Sequence, residues 1–195
     1  MTAAPRALQI GIIAAASLVV VAAAVAGGYA WRRHRVRRAL LERIEAVAAD
    51  YLRDVLLPDG NGGWFHVDFL LLTSIGLVVL ELRDMPGMVF GSEQMTEWTV
   101  MQRQRRATFP NPLGPLYDRL AVVRALAGAG VPVEGRVVFT DKSTFPKGRP
   151  PPVTRLASLA SEIPRPLEEV LVGLRPAFER VKQASSPSPS PLRRG

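Results

Sequence analysis

His66-Val-Asp-Phe-Leu-Leu-Leu-Thr-Ser-Ile-Gly-Leu-Val-Val-Leu-Glu-Leu-Arg83 carries two runs of strand-forming residues around Thr73-Ser-Ile-Gly76, and its reading decides the fold. Val, Leu, Phe and Ile suit a pleated, buried surface, and a short turn segment between two such runs marks an antiparallel hairpin. If Leu72 faces Leu77 across the turn, Asp68 faces Glu81 and His66 faces Arg83. Alternation along a strand then sets Asp68, Glu81 and Arg83 on one side. Two carboxylates opposite each other among apolar neighbours are costly unless something compensates them. A divalent cation would do so. The plainer alternative is a salt bridge, with Arg83 reaching diagonally to Asp68 and Glu81 turned to solvent.

Composition narrows the chemistry of such a site. The 195 residues suffice for one domain of moderate size plus extensions, and they include no cysteine. Disulfides and thiolate zinc sites are therefore excluded, and no thiol or haem cofactor is expected. The only histidines are His34 and His66. Any metal should then be a hard cation held by oxygens, magnesium first and manganese second.

Upstream, residues 1–6 form a short N-terminus, and residues 7–31 contain no charged side chain. About 20 apolar residues span a bilayer core, so this run reads as a transmembrane helix. Arg32, Arg33, Arg35, Arg37 and Arg38 follow at once, in a basic juxtamembrane segment over 32–38. Positive flanks stay on the cytoplasmic side, so the N-terminus is expected outside and the globular part in the cytoplasm, below the inner (plasma) membrane. A cleaved signal peptide is the rival, since small residues over 22–26 resemble a cleavage site, but the basic block lies on the wrong side of the apolar run for it. The formal net charge of +8 owes much to this block and to Arg193 and Arg194. The five juxtamembrane arginines suit anionic headgroups, Arg193 and Arg194 lie in the tail, and charge alone does not assign a nucleic-acid partner.

Residues 39–183 read as the globular domain and 184–195, rich in Ser and Pro, as a disordered tail. Val36, Leu40, Ile44, Val47, Ala48 and Tyr51 recur at helical spacing and predict an amphipathic helix through Leu52. Pro86-Gly87 ends the hairpin. Met88 to Gly91 and Trp98 to Met101 read as short strands, with Gln102 to Arg106 as their exposed turn. The arginines of that turn are either a solvated tip or a phosphate contact. Asn111-Pro112 opens a helix whose buried stripe is Leu116, Leu120, Val123 and Leu126. Val133 to Thr140 is a buried strand, and Leu156–Ala160 and Leu167–Val181 are helical. Helix, antiparallel strands, helix, strand and helices together predict an α/β core on a mixed sheet.

Asp68-Phe-Leu-Leu-Leu-Thr73, Gly76-Leu-Val-Val-Leu-Glu-Leu-Arg83, Gly87 with Gly91, Trp98 and Asn111-Pro-Leu113 occur in an order that resembles the nuclease-related domain (NERD), a branch of the restriction-endonuclease-like superfamily. The resemblance covers about Glu45 to Thr140. It implies a restriction-endonuclease-like mixed sheet with flanking helices and an Asp…Glu-x-Lys centre, matched by Asp68, Glu81 and Arg83. Asp68 and Glu81 would ligate magnesium, with the Leu82 carbonyl as a third oxygen. A glutamate on the preceding helix also belongs to the pattern, and Glu45 is the position that matches it.

Two departures stand out. The lysine of the pattern is Arg83, and the glutamine expected after Asn-Pro-Leu falls at Pro115. Arginine keeps a positive charge but does not release its proton, and its planar fork sits differently from an ammonium group. Lys142 and Lys147 are either a basic surface loop or a source of the missing ammonium. The resemblance implies a membrane-anchored, magnesium-dependent nuclease acting on DNA, or a catalytically inactive NERD-like module that binds DNA or scaffolds protein partners. A purely structural ion-pair network is the third reading.

Overall fold

The computed structural model describes residues 25, 27, 28, 31, 38 and 41–187. The chain divides into two compact units, Met1–Glu42 and Arg43–Gly195. In the first unit every described residue is helical. The expected membrane span at 7–31 otherwise lies outside the described residues, as does most of the basic segment. Among the described residues, no helix is long and apolar enough to cross a membrane.

The second unit is a mixed α/β structure with two mixed sheets. Its first sheet has the order β10-β1-β2-β3-β7-β9, built from β1 (Asp50–Pro58), β2 (Trp64–Thr73), β3 (Gly76–Arg83), β7 (Val133–Phe139), β9 (Val153–Arg155) and β10 (Ser186–Pro187). The neighbours from β10 to β3 run antiparallel, and β3, β7 and β9 run parallel. The second sheet has the order β6-β5-β4-β8, from β4 (Gly87–Phe90), β5 (Glu97–Gln102), β6 (Arg105–Pro110) and β8 (Ser143–Thr144). The helices are α1 (Leu113–Ala127), the short α2 (Leu159–Glu162) and α3 (Glu168–Ala184).

The hairpin forms in the expected register. Leu72 pairs with Leu77 and Thr73 with Gly76, leaving Ser74-Ile75 as the turn. Gly76 has φ +126°, and a Cβ there would lie 2.3 Å from the Pro132 carbonyl that accepts the Leu77 N–H. Only glycine suits this corner, where β3 leaves the turn and β7 enters beside it.

Both faces of the central strands are buried, as parallel neighbours require. Leu70, Leu72, Leu77, Val79, Val137 and Phe139 share a core with Leu116, Leu120 and Val123 of α1 and with Leu171, Leu174 and Phe178 of α3. The alternate residues Phe69, Leu71, Val78, Leu80 and Val138 are equally buried. Buried Ile44, Val47, Leu156, Leu159 and Ile163 are the apolar side chains that can cover that second face. Trp98 of β5 joins the second sheet to the first: its ring stacks on Phe139 at 6.3 Å and meets Phe109 edge-on at 6.1 Å.

Three expectations change. The helix predicted through Leu52 stops at residue 45, and Asp50–Pro58 is a strand hydrogen-bonded to β2. Strands hold the middle of this unit, and the apolar positions of 51–57 satisfy β2 better than a solvated helix face would. Gln102–Arg106 does not connect the Met88 and Trp98 strands. Its centre turns from β5 into β6, which is exposed almost throughout and so carries no hydrophobic signal. The tail begins later than residue 184: α3 runs to Ala184, and Ser186 and Pro187 pair with Leu56 and Val55 of β1. Residues 188–195 lie outside the described residues.

Candidate functional site

The β2–β3 ladder stops at Phe69–Leu80, one step before Asp68 and Glu81 would pair. There the strands part, and the Asp68 carboxylate takes over the role of the ladder: its Oδ2 accepts the Leu82 backbone N–H at 2.9 Å. Asp68 and Glu81 keep the parity of the residues facing α1, so the register sets both acids on that face. The charges of both acids act on each other, since Asp68 is one of the groups that raise the Glu81 pKa.

Glu81 is only 2% exposed. Its Oε2 accepts a hydrogen bond from Arg83 Nη2 at 2.8 Å. From the other side, Arg119 of α1 brings Nη1 to 2.9 Å from Oε1, an ion-pair distance without a hydrogen bond. Arg119 spends its N–H groups elsewhere: Nε donates to the His66 carbonyl, and Nη1 donates to the Pro115 carbonyl at 2.7 Å. Burial pushes the Glu81 carboxyl above its ordinary value, and the two guanidinium groups offset this only in part.

His66 does not oppose Arg83 in the ladder. Its Nδ1 lies 3.4 Å from Asp68 Oδ1 and its Nε2 3.7 Å from Asp54 Oδ1. Asp54 stands across β1–β2 from Asp68, has φ +50° and interrupts the β1–β2 pairing. Aspartate tolerates this left-handed conformation better than most residues. The site thus contains three acids, His66 and two arginines near one end of the sheet.

Glu45 does not join them. It is exposed, it has no hydrogen bond or ion pair among the described residues, and it is absent from the charges that act on Glu81. Residues 44, 47 and 48 turn inward, which leaves position 45 outside. Nor does Lys142 supply an ammonium group to Glu81, because its Nζ bonds both oxygens of Asp84 at 3.0 and 3.2 Å. Lys147 is exposed on the same loop. The salt-bridge alternative has the right kind of partners in a different arrangement: Arg83 pairs with Glu81, and Glu81 is buried rather than solvated.

Arg119 is the member that sequence reasoning missed. It had a signal, since it lies on the Leu116, Leu120, Val123 stripe of α1, where a long charged side chain must find a partner or leave the core. It also follows Pro115 by one helical turn, on the same face as the position where the family pattern expects glutamine.

Gly91, Trp98 and Asn111, three of the residues quoted for the resemblance, tie the β4–β5 loop to the start of α1. A Cβ on Gly91 would lie 2.1 Å from the Trp98 ring, so glycine lets the indole lie against the chain. Trp98 Nε1 donates to the Ser92 carbonyl at 3.0 Å. Asn111 Nδ2 donates to the carbonyls of Glu93 and Met95, while its Oδ1 accepts the Leu113 N–H at 2.9 Å and so starts the helix. One asparagine ties the β4–β5 loop to the origin of α1.

A nuclease-related domain profile matches residues 30–140, more than half of the chain. The chain belongs to the NERD family. An uncharacterized protein of Bacillus anthracis is 21% identical to it over 106 residues, 54% of this chain and 50% of that protein. The chain therefore spans about half the length of the curated relative it matches. No solved structure matches it.

The NERD domain, as arranged here, does not fit the implied magnesium ion. Of the three expected donors, Asp68 Oδ2 holds a backbone N–H, the Leu82 carbonyl lies 3.5 Å from Arg83 Nη1, and both Glu81 oxygens face guanidinium groups within 2.9 Å. A cation on Glu81 would have to displace at least one of two positive charges. Among the described residues no three His, Cys, Asp or Glu side chains are grouped to hold a metal.

Proposed function

We propose that this chain is a membrane-tethered NERD module that binds nucleic-acid phosphodiesters, and that arginine replaces the divalent cation at its centre. The observation that carries this reading is the buried Glu81 carboxylate held between Arg83 and Arg119. Two guanidinium groups supply part of the compensation that a buried acid needs, the role a metal would otherwise fill. Arg83 is one-third exposed at its side chain and so also remains accessible to an anionic phosphate. The tether is the apolar run at 7–31 with its arginine-rich flank, which supports an inner-membrane location with the domain in the cytoplasm. Membership of the family supports a restriction-endonuclease-like arrangement of the first sheet.

A second reading has one observation in its favour. Glu81 Oε1 is buried and accepts no hydrogen bond. If Arg119 withdrew, Asp68, Glu81 and the Leu82 carbonyl would be the residues to hold magnesium or manganese, and the domain would be a metal-dependent nuclease.

The purified full chain separates the two. Under the proposed reading it binds a labelled DNA duplex equally well in EDTA and in magnesium and leaves the DNA intact. Magnesium-dependent cleavage that vanishes in Glu81→Ala would overturn the proposal in favour of the nuclease. Absence of DNA binding under both conditions would overturn nucleic acid as the partner.

A further inference from the structure

Away from the Glu81 centre, the second sheet carries an open groove of about 980 Å³. Arg103 and Arg105 line it together with Met88, Met101 and Lys142, whose ammonium group is paired with Asp84, and no acidic residue lines it. Among the described residues, neither Arg103 nor Arg105 makes a side-chain hydrogen bond or ion pair, whereas most arginines of the first sheet and its helices do. Arg103 sits at the β5–β6 turn with φ +54°, a conformation that disfavours a long side chain unless something is gained by keeping it there.

The groove lies next to the strand ends that carry Arg83. Arg83 accepts the Thr140 N–H through its carbonyl, and Gly87 donates to the Lys142 carbonyl at 3.0 Å. The backbones of Arg83 and Lys142 therefore lie near one end of the first sheet, Lys142 three positions beyond Phe139, the ladder partner of Arg83.

We infer that this groove is a binding site for the phosphodiester backbone of a nucleic acid, with Arg103 and Arg105 as its phosphate contacts. The inference rests on the reading above and extends it by naming where the chain would run. Exposed guanidinium groups along an open trough suit a strand that can lie in it.

The test uses the full chain in detergent with EDTA, and reads anisotropy of a labelled DNA duplex across a salt series. Arg103→Asn with Arg105→Gln should weaken binding at least about tenfold and lower the slope of log affinity against log salt by about 2, one per lost phosphate contact. Asparagine is chosen because it tolerates the left-handed turn. Arg103→Lys with Arg105→Lys keeps both charges and should bind within about threefold of the parent, as a backbone contact demands. Wild-type binding that the Asn/Gln variant retains overturns the groove while leaving the module reading intact. No wild-type binding overturns both. In a second arm, the soluble headgroup glycerophosphoserine replaces the DNA; binding that the Asn/Gln variant loses, with DNA binding preserved, would assign the groove to lipid and overturn the inference.

Discussion

Arginine serves two opposite purposes in this domain. At the Glu81 centre, Arg83 and Arg119 are held against a buried acid, and Arg119 is only 19% exposed. At the β5–β6 turn, Arg103 and Arg105 stand in solvent with no acid beside them. Breaking the first pair is costly because removing either partner strands a charge in a poorly solvated place. The second pair contributes almost nothing to folding, since exposed charges are screened and fully hydrated. Position in the fold, not residue type, decides whether an arginine holds the structure together or is available to something outside it.

The sharpest way to break the contrast is Arg119→Leu. It leaves Glu81 with Arg83 alone and should cost about 3 kcal/mol, read as a loss in the urea unfolding midpoint followed by Trp fluorescence. Adding Glu81→Leu should restore most of that loss, because two apolar residues need no compensation. If Arg119→Leu is neutral, the buried pair is not what holds α1 to this end of the sheet.

Gly91→Ala should follow at about 1–3 kcal/mol, since the new methyl group meets the Trp98 ring and must displace it. The same variant should also loosen the origin of α1 and so weaken the Arg119 contact, which amide exchange at Leu113–Leu116 would report. A shift confined to β4 would show that the loop and the helix are independent.

A smaller effect separates burial from pairing at Glu81. Its folded pKa is raised above the ordinary 4.5, so the folded state holds more protons than the unfolded state above about that pH. Stability from this group is complete below 4.5 and falls as pH rises through the raised folded value. Glu81→Gln cannot titrate, so its stability relative to the parent should rise over the same window. An opposite trend would mean that the arginines outweigh burial. Smallest of all, Arg103→Asn with Arg105→Gln should leave the unfolding midpoint within about 0.5 kcal/mol of the parent while affecting binding.

The sequence was most readable where local pattern and tertiary demand agree. Two apolar runs around Thr73–Gly76 fix both the hairpin and its register, and Asn111-Pro112 marks the start of α1 because capping chemistry is local. β1 was hidden because the helical spacing of 44, 47 and 48 continues to Tyr51, and because the kink at Asp54 breaks the strand alternation just where it would reveal itself. β6 was hidden for the opposite reason: an edge strand of exposed residues has no apolar face to betray it. In the site, register alone set Asp68, Glu81 and Arg83 on one face, but the ladder ends before Asp68 and Glu81 pair and before His66 could oppose Arg83. What neutralises them could not be placed this way, since Arg119 lies 38 positions beyond Glu81 in the sequence and reaches it only through the packing of α1 on β3 and β7.

Ser186 and Pro187 cover the outer edge of β1 at Val55 and Leu56. A proline in that position offers no N–H to a further strand. Shortening the chain before Ser186 would uncover the backbone groups of Val55 and Leu56, and the expected result is self-association through β1 of neighbouring molecules, growing with protein concentration.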